Sequence, residues 1–402
     1  MQIRMIKPEE NVARNLLGDI CFAGKAGDDY EEHLKNPLEH SEGYEQCLGG
    51  FDKDGNIVAA LNMVPFEMNF DGHIVKMCGI EGVVTAPEAR GTGVMGKVYE
   101  ECLRIMKEQG YIFSILIPFS FVYYRKFGYE HAYELRGAKV PIESFRNYPF
   151  PKDSVRFWKK GDSTDDLKAI YDEFIKGRNY AINRNDKSWE EILKDADPYT
   201  KRRYTYIHYD SEGKADCYLI FNAKRVESDH RSQLHISELA WTTREGLFDM
   251  FGFIGGLSPQ FGTVFWDVPD DVDLGSMFPE CRDVKTELRP IIMTRIVNLP
   301  EALKRMRVPA GQNGKVVLEV SDKSMPCNSG KYTITWENGK LTIGKAEAAP
   351  DMTTSIETLV QLMVGYLTAE MAIYRKDTTI HGNQEALAAL FPKKKLYIWE
   401  RI

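Results

Sequence analysis

Very little in this sequence points to a metal, a membrane or a nucleic acid. No C-x-x-C pair occurs among the seven cysteines (Cys21, Cys47, Cys78, Cys102, Cys217, Cys281 and Cys327), and an odd total does not suit a closed disulfide framework. They read as reduced, mostly buried thiols. The eight histidines show neither H-x-x-x-H nor H-E-x-x-H spacing, so no metal site is expected. A basic surplus is missing too: 52 Lys and Arg against 59 Asp and Glu leave a net charge of -7. That balance argues against nucleic acid, because duplex binding needs a clustered cationic surface to displace counterions. Surplus carboxylates keep a protein soluble and, more weakly, suit cationic substrates. The most apolar window, Leu359 to Tyr374, holds Gln361 and Glu370 and is too short to span a bilayer. The opening "MQIRMIKPEENVARN" lacks the apolar core of a secretion signal, so a cytoplasmic protein without a membrane segment is expected.

What is present is a soluble globular composition, 43% hydrophobic and 28% charged over 402 residues, enough for two or three domains. The region 1–150 opens with a short strand and a helix near Pro8. It continues with "NIVAALNMVPFEMNF" and "HIVKMCGIEGVVT", alternating segments joined by the turn signal Asp71-Gly72. After a glycine loop, Val94, Val98, Cys102 and Ile105 recur at helical spacing up to Gly110, and the strand "YIFSILIP" follows. The region 151–290 repeats this outline, but its strand-to-helix connection reads "TTREG" where the first has "TAPEARGTG". Duplication with loss of the glycine loop and two unrelated α/β regions fit this pattern equally. The region 291–402 groups strands before helices, an α+β layer. It has a hairpin signal at Asn338-Gly339 and a capping box from Thr354 to Glu357 before an apolar helix. The tail "KKKLYIWERI" is too apolar to lie in water and is predicted to be docked.

The stretch "ARGTGVMGKV" fits three phosphate-binding loops. A nucleotide-triphosphate loop needs Ser or Thr after its lysine for magnesium, and Val98 stands there. A dinucleotide loop needs an acid at the end of the next strand, and "YIFSILIP" supplies none. In the third, an acyl-CoA loop, successive N–H groups from Gly91 to Gly96 face a pyrophosphate on the positive end of the following helix, and Arg90 adds charge or fixes the loop. "IEGVVTAPEARGTG" resembles the signature of the GCN5-related N-acetyltransferases, the GNAT superfamily. It departs from the consensus at Met95, where that superfamily has a small residue. "FVYYRKFGYEHA" is similar to the corresponding segment of Eis-type (enhanced intracellular survival) acetyltransferases.

The resemblance covers the whole chain and implies two tandem GNAT-like mixed-sheet domains, the second degenerate, followed by a sterol-carrier-like α+β domain. It implies acetyl-CoA as co-substrate, an amine acceptor such as an aminoglycoside, and a homo-oligomer, a hexamer. Val83, Val84 and Thr85 would present backbone N–H groups to the thioester. Arg90, Gly91, Thr92, Gly93, Val94, Met95 and Gly96 would hold the pyrophosphate, and Phe119 and Ser120 would line the pantetheine arm. Residue chemistry leaves Tyr123 and Tyr124 equal as general acids, and the family spacing selects Tyr124. The family's general base is the C-terminal carboxylate, here Ile402, with Glu400, or a water it holds, as the alternative. Asp28 and Asp29 are candidates for drawing in a polyamine, or for a solvated helix start. Two other readings stay open: a CoA-sensing or lipid-carrying protein, and an acetyltransferase acting on a protein lysine or N-terminus.

Overall fold

Alternating apolar residues on either side of Asp71-Gly72 build a long antiparallel hairpin in the structure, a computed structural model that describes residues 1–24, 30–226 and 230–400. Asp71 (φ 52°) and Gly72 (φ 87°) both take the left-handed conformation that a two-residue hairpin turn demands. In chain order the first region forms β1 (Gln2–Met5), α1 (Asn11–Phe22), α2 (Tyr30–Lys35), β2 (Cys47–Phe51), β3 (Ile57–Phe70), β4 (His73–Thr85), α3 (Val94–Glu108), β5 (Phe113–Leu116) and α4 (Phe121–Arg125). The strands lie side by side in the order β1-β2-β3-β4-β5, antiparallel until the last pair. β5 is parallel to β4 because α3 carries the chain back across the sheet. One face of α3 buries Val94, Met95, Val98, Tyr99, Cys102, Leu103 and Met106 against Leu48, Leu61 and Ile80 of the sheet.

The second region forms β6 (Glu130–Pro141), β7 (Val155–Phe157), α5 (Asp165–Phe174), α6 (Asp186–Leu193), β8 (Arg203–Tyr209), β9 (Ala215–Lys224), β10 (Ser232–Trp241), α7 (Arg244–Gly256) and β11 (Phe261–Val268). Its strands run β6-β11-β10-β9-β8-β7, and the parallel crossover β10-α7-β11 repeats the β4-α3-β5 unit.

The third region forms β12 (Lys285–Ile296), α8 (Leu299–Leu303), β13 (Gly314–Ser321), β14 (Gly330–Glu337), β15 (Lys340–Lys345), β16 (Met352–Ser355), α9 (Ile356–Val364), α10 (Ala369–Ala372), β17 (Thr379–Ile380) and α11 (Gln384–Leu390). Its five-stranded sheet has the order β15-β14-β13-β16-β17, and Asn338-Gly339 is the turn of the β14-β15 hairpin. The helix start differs by one residue from the predicted capping box. Ser355, not Thr354, caps α9 by accepting from the Thr358 N–H at 3.3 Å. Thr354 is still paired in β16 with β13, and its hydroxyl is shared with Thr378 at 2.8 Å.

The chain divides into two compact units, one of Met1–Ala132 with Ile292–Lys393, the other of Tyr133–Ile291 with Lys394–Glu400. In the first, the end of β12 pairs antiparallel with β5. In the second, the docking predicted for the tail is seen directly, with Leu396, Tyr397 and Ile398 all buried. Among the described residues no helix is long and apolar enough to cross a membrane.

Candidate active site

The β4 strand leaves its neighbour where the site begins. Its parallel pairing with β5 ends at Ile80 and Leu116, while β4 itself runs on to Thr85 paired with β3 alone. An extra residue in β4 around Gly82 (φ 58°), between the pairs Asn62–Glu81 and Ala60–Val84, supplies the bend. Among the described residues, the edge of Val83, Val84 and Thr85 that would have faced β5 is therefore free of strand pairing. Val84 packs inward and Val83 is half-buried, so only their backbone is available.

The glycine loop follows at once. Gly91 (φ 78°) and Gly93 (φ 81°) are left-handed, and side chains built at Gly91, Gly93 or Gly96 would meet open space. Gly93 is the N-cap of α3 and gives it no side-chain cap, so the N–H groups of the first turn are left for a ligand at the positive end of the helix. Arg90 donates from Nε to the Thr85 carbonyl at 3.4 Å, and Thr92 Oγ1 to the Ala89 carbonyl at 2.6 Å, so both side chains tie down the loop. The Met95 side chain is buried in the core under α3 and stays out of the loop. This cradle fits a pyrophosphate such as that of acetyl-CoA.

Beyond β5 lies a packed group of aromatic rings. Ser120 caps the short α4, its Oγ accepting from the Tyr123 N–H at 3.3 Å. Phe119 is 73% exposed and lies 5.2 Å from the Tyr123 ring and 5.4 Å from that of Tyr124. Tyr124 is buried, and burial together with neighbouring Tyr123 pushes its phenol up to about 12. The helix bearing it is gripped from two sides. Arg125 and Arg375 both bind Glu130 at 2.8 Å; burial pushes that carboxyl up, but the two guanidiniums outweigh it and hold it below the usual range. After α4, Gly128 (φ 76°) turns the chain against the buried Arg295, which donates to the Phe127 carbonyl and binds Asp322 at 2.7 Å. The glycine of "FGY" is required there by both its φ and the close guanidinium.

The second copy of this unit has no such cradle. Thr243 caps α7, accepting from the Gly246 N–H at 3.0 Å and donating to Asp216. The Asp216 carboxylate is buried against the start of α7, where a side chain at Gly246 would collide with it, and His208 bonds it at 2.5 Å. The protein's own carboxylate thus takes the position that an anionic ligand would need.

Residues 2–132 and 181–296 each match a model described as an acetyltransferase (GNAT) domain, and residues 299–399 match the sterol carrier protein domain. The chain is a GNAT-fold acetyltransferase. The acetyltransferase is similar over 98% of its length, and 97% of the other's, to an Enterococcus faecalis V583 protein described as of unknown function and a probable N-acyltransferase, with 26% identity and a TM-score of 0.82. A GCN5-related N-acetyltransferase from Anabaena variabilis shares 22% identity at a TM-score of 0.86, with both chains covered completely. Eis1 from Mycobacterium abscessus shares the fold at 17% identity and a TM-score of 0.81, again over 100% of each chain. No curated protein matches the sequence.

Of the expected site residues in this acetyltransferase, Asp28, Asp29 and Ile402 lie outside the described residues. Glu400 is described and is committed to an ion pair, its carboxylate 2.7 Å from Arg184 Nε, which makes it a poor candidate for the base. Arg184 is wholly buried, binds Glu238 through both terminal nitrogens at 2.9 and 2.7 Å, and stacks on Tyr171 at 3.7 Å. Tyr218 and Tyr397 donate to the same Glu238 at 2.8 and 3.0 Å, and the Trp399 indole donates to the Ser237 carbonyl. Nothing in the sequence marks this network, whose two ion pairs join Arg184 to residues 54 and 216 positions away.

Proposed function

We propose that the chain is an Eis-type enzyme that transfers the acetyl group of acetyl-CoA to an amine of a small polycationic acceptor, such as an aminoglycoside. The observation that carries this reading is an uncapped helix N-terminus behind an open glycine loop, adjoining a strand edge that has parted from its neighbour. In this reading the backbone of Val83 to Thr85 receives the thioester carbonyl, and Gly91 to Gly96 hold the pyrophosphate. The neutral amine attacks the carbonyl carbon, the C–S bond breaks, and Tyr124 gives its phenolic proton to the leaving sulfur. The carboxylate of Ile402 removes the amine's proton, with Asp28 and Asp29 drawing the cation in. A homo-hexamer accompanies the reading as an expectation from the resemblance. The Arg184 network, by anchoring Glu400, would hold the segment that leads to Ile402.

The test is release of free CoA from acetyl-CoA in the presence of aminoglycosides, polyamines and lysine-bearing peptides in turn. Release with aminoglycosides or polyamines alone supports the reading, release with peptides alone moves the acceptor to proteins, and no release with any of them overturns it. The loop carries its own prediction. Gly93→Ala should raise the KM for acetyl-CoA about ten-fold, since an alanine at φ 81° costs about 1–2 kcal/mol and its methyl would stand in the cradle. Because nothing among the described residues crowds that position, the fold should survive. An unchanged KM would detach the loop from CoA binding.

A further inference from the structure

Tyr99 is fully buried on α3, yet among the described residues its hydroxyl makes no well-formed hydrogen bond. Its neighbour Tyr129, equally buried, shares its hydroxyl with Ser114 Oγ at 2.7 Å, and Ser114 in turn donates to the Cys78 carbonyl at 2.8 Å. Buried hydroxyls are almost always satisfied, because leaving one unpaired forfeits its hydration without return. A phenylalanine would fill the same volume at position 99 without that cost. The Tyr99 ring is held by stacking on Phe127 at 4.1 Å and meets the Tyr124 ring edge-on at 6.1 Å. The orphan hydroxyl thus belongs to the same ring cluster as Tyr124.

We infer that Tyr99 is a positioning residue for proton transfer, its hydroxyl becoming a hydrogen-bond donor to Tyr124 when Tyr124 gives up its proton. This rests on the reading of Tyr124 as the general acid. A phenol that is harder to ionise than an ordinary tyrosine is a reluctant donor to a sulfur whose thiol titrates near about 8.5. Burial and Tyr123 make Tyr124 reluctant, and a weak side-chain interaction with the Tyr99 hydroxyl acts in the opposite direction. As the C–S bond breaks, the Tyr124 proton passes to sulfur and a phenolate remains in a water-poor setting. The Tyr99 O–H then bonds that phenolate oxygen until solvent returns a proton to Tyr124. A hydrogen bond to a charged oxygen is stronger than one to a neutral oxygen, so a contact too loose to satisfy the hydroxyl at rest tightens as the charge forms.

The experiment is a cycle of Tyr99→Phe, Tyr124→Phe and the double variant, with kcat, the KM for acetyl-CoA and the thermal midpoint measured for each. Tyr99→Phe is expected to lower kcat about ten-fold, with KM within two-fold and a midpoint equal to or above that of the parent. In the Tyr124→Phe background the same change should cost nothing further. A parental kcat in Tyr99→Phe, or an undiminished further loss in the double variant, would overturn the inference while leaving Tyr124 in place. Full activity of Tyr124→Phe alone would instead remove the reading on which it rests.

Discussion

Tyr124→Phe is expected to lower kcat by about 10²-fold or more, the usual worth of a positioned general acid, with the KM for acetyl-CoA nearly unchanged. The remaining phenyl ring would keep its packing against Tyr99, Phe119 and Tyr129, so the thermal midpoint should hardly move. The sign of the pH dependence follows from burial. A phenol raised to about 12 keeps its proton across the working range, so loss of the acid should not limit the rate below that pH. Any fall on the acidic side would then report protonation of the acceptor amine or of the base. Steady-state kinetics of the two proteins from pH 6 to roughly 10 decides the matter. A variant with full kcat would exclude Tyr124 as the acid and turn attention to half-buried Tyr123, whose phenol burial also pushes up.

The second large effect is expected at Arg184, far from Tyr124 in sequence. Arg184→Met leaves Glu238, fully buried, and Glu400, nearly so, without their counter-charge. Breaking a buried pair from one side typically costs about 3–5 kcal/mol, because the remaining charge has lost both water and partner. At roughly 2–4 °C per kcal/mol for a body of this size, the melting of the second unit should fall by about 10 °C. The tail bonded to the same Glu238 through Tyr397 should become accessible to trypsin at Lys393 to Lys395. Adding Glu238→Gln should recover part of the loss by removing the stranded charge. An unchanged midpoint and an uncut tail would mean that apolar burial of Leu396, Tyr397 and Ile398 alone holds the segment.

The β3-β4 hairpin was legible in the sequence because period-two alternation and Asp71-Gly72 are local signals that agree. The same holds for α3 and for the β14-β15 turn at Asn338-Gly339. Where two local signals competed, the tertiary pairing decided: Thr354 could have capped α9, but its place in β16 passed the cap to Ser355. The "TTREG" turn shows the limit of reading what is lost. Missing glycines suggested an absent phosphate loop, but only the fold reveals that Asp216, from the neighbouring strand β9, fills the vacated anion position.

By itself, the sequence determined that this chain is built from two α/β regions and an α+β layer, that its first strand-to-helix loop carries the glycines an anion-binding turn needs, and that its tail is docked. Those properties depend on residues close together in the chain, where spacing and conformational preference act directly. The parting of β4 from β5, the burial of Tyr124, the orphan hydroxyl of Tyr99, the grip of Arg295 on Gly128 and the Arg184–Glu238–Glu400 network were decided only by the tertiary structure. Burial and charge pairing depend on which distant segments meet, and a charged or phenolic side chain shows its energetic meaning only when its water has been replaced by named neighbours.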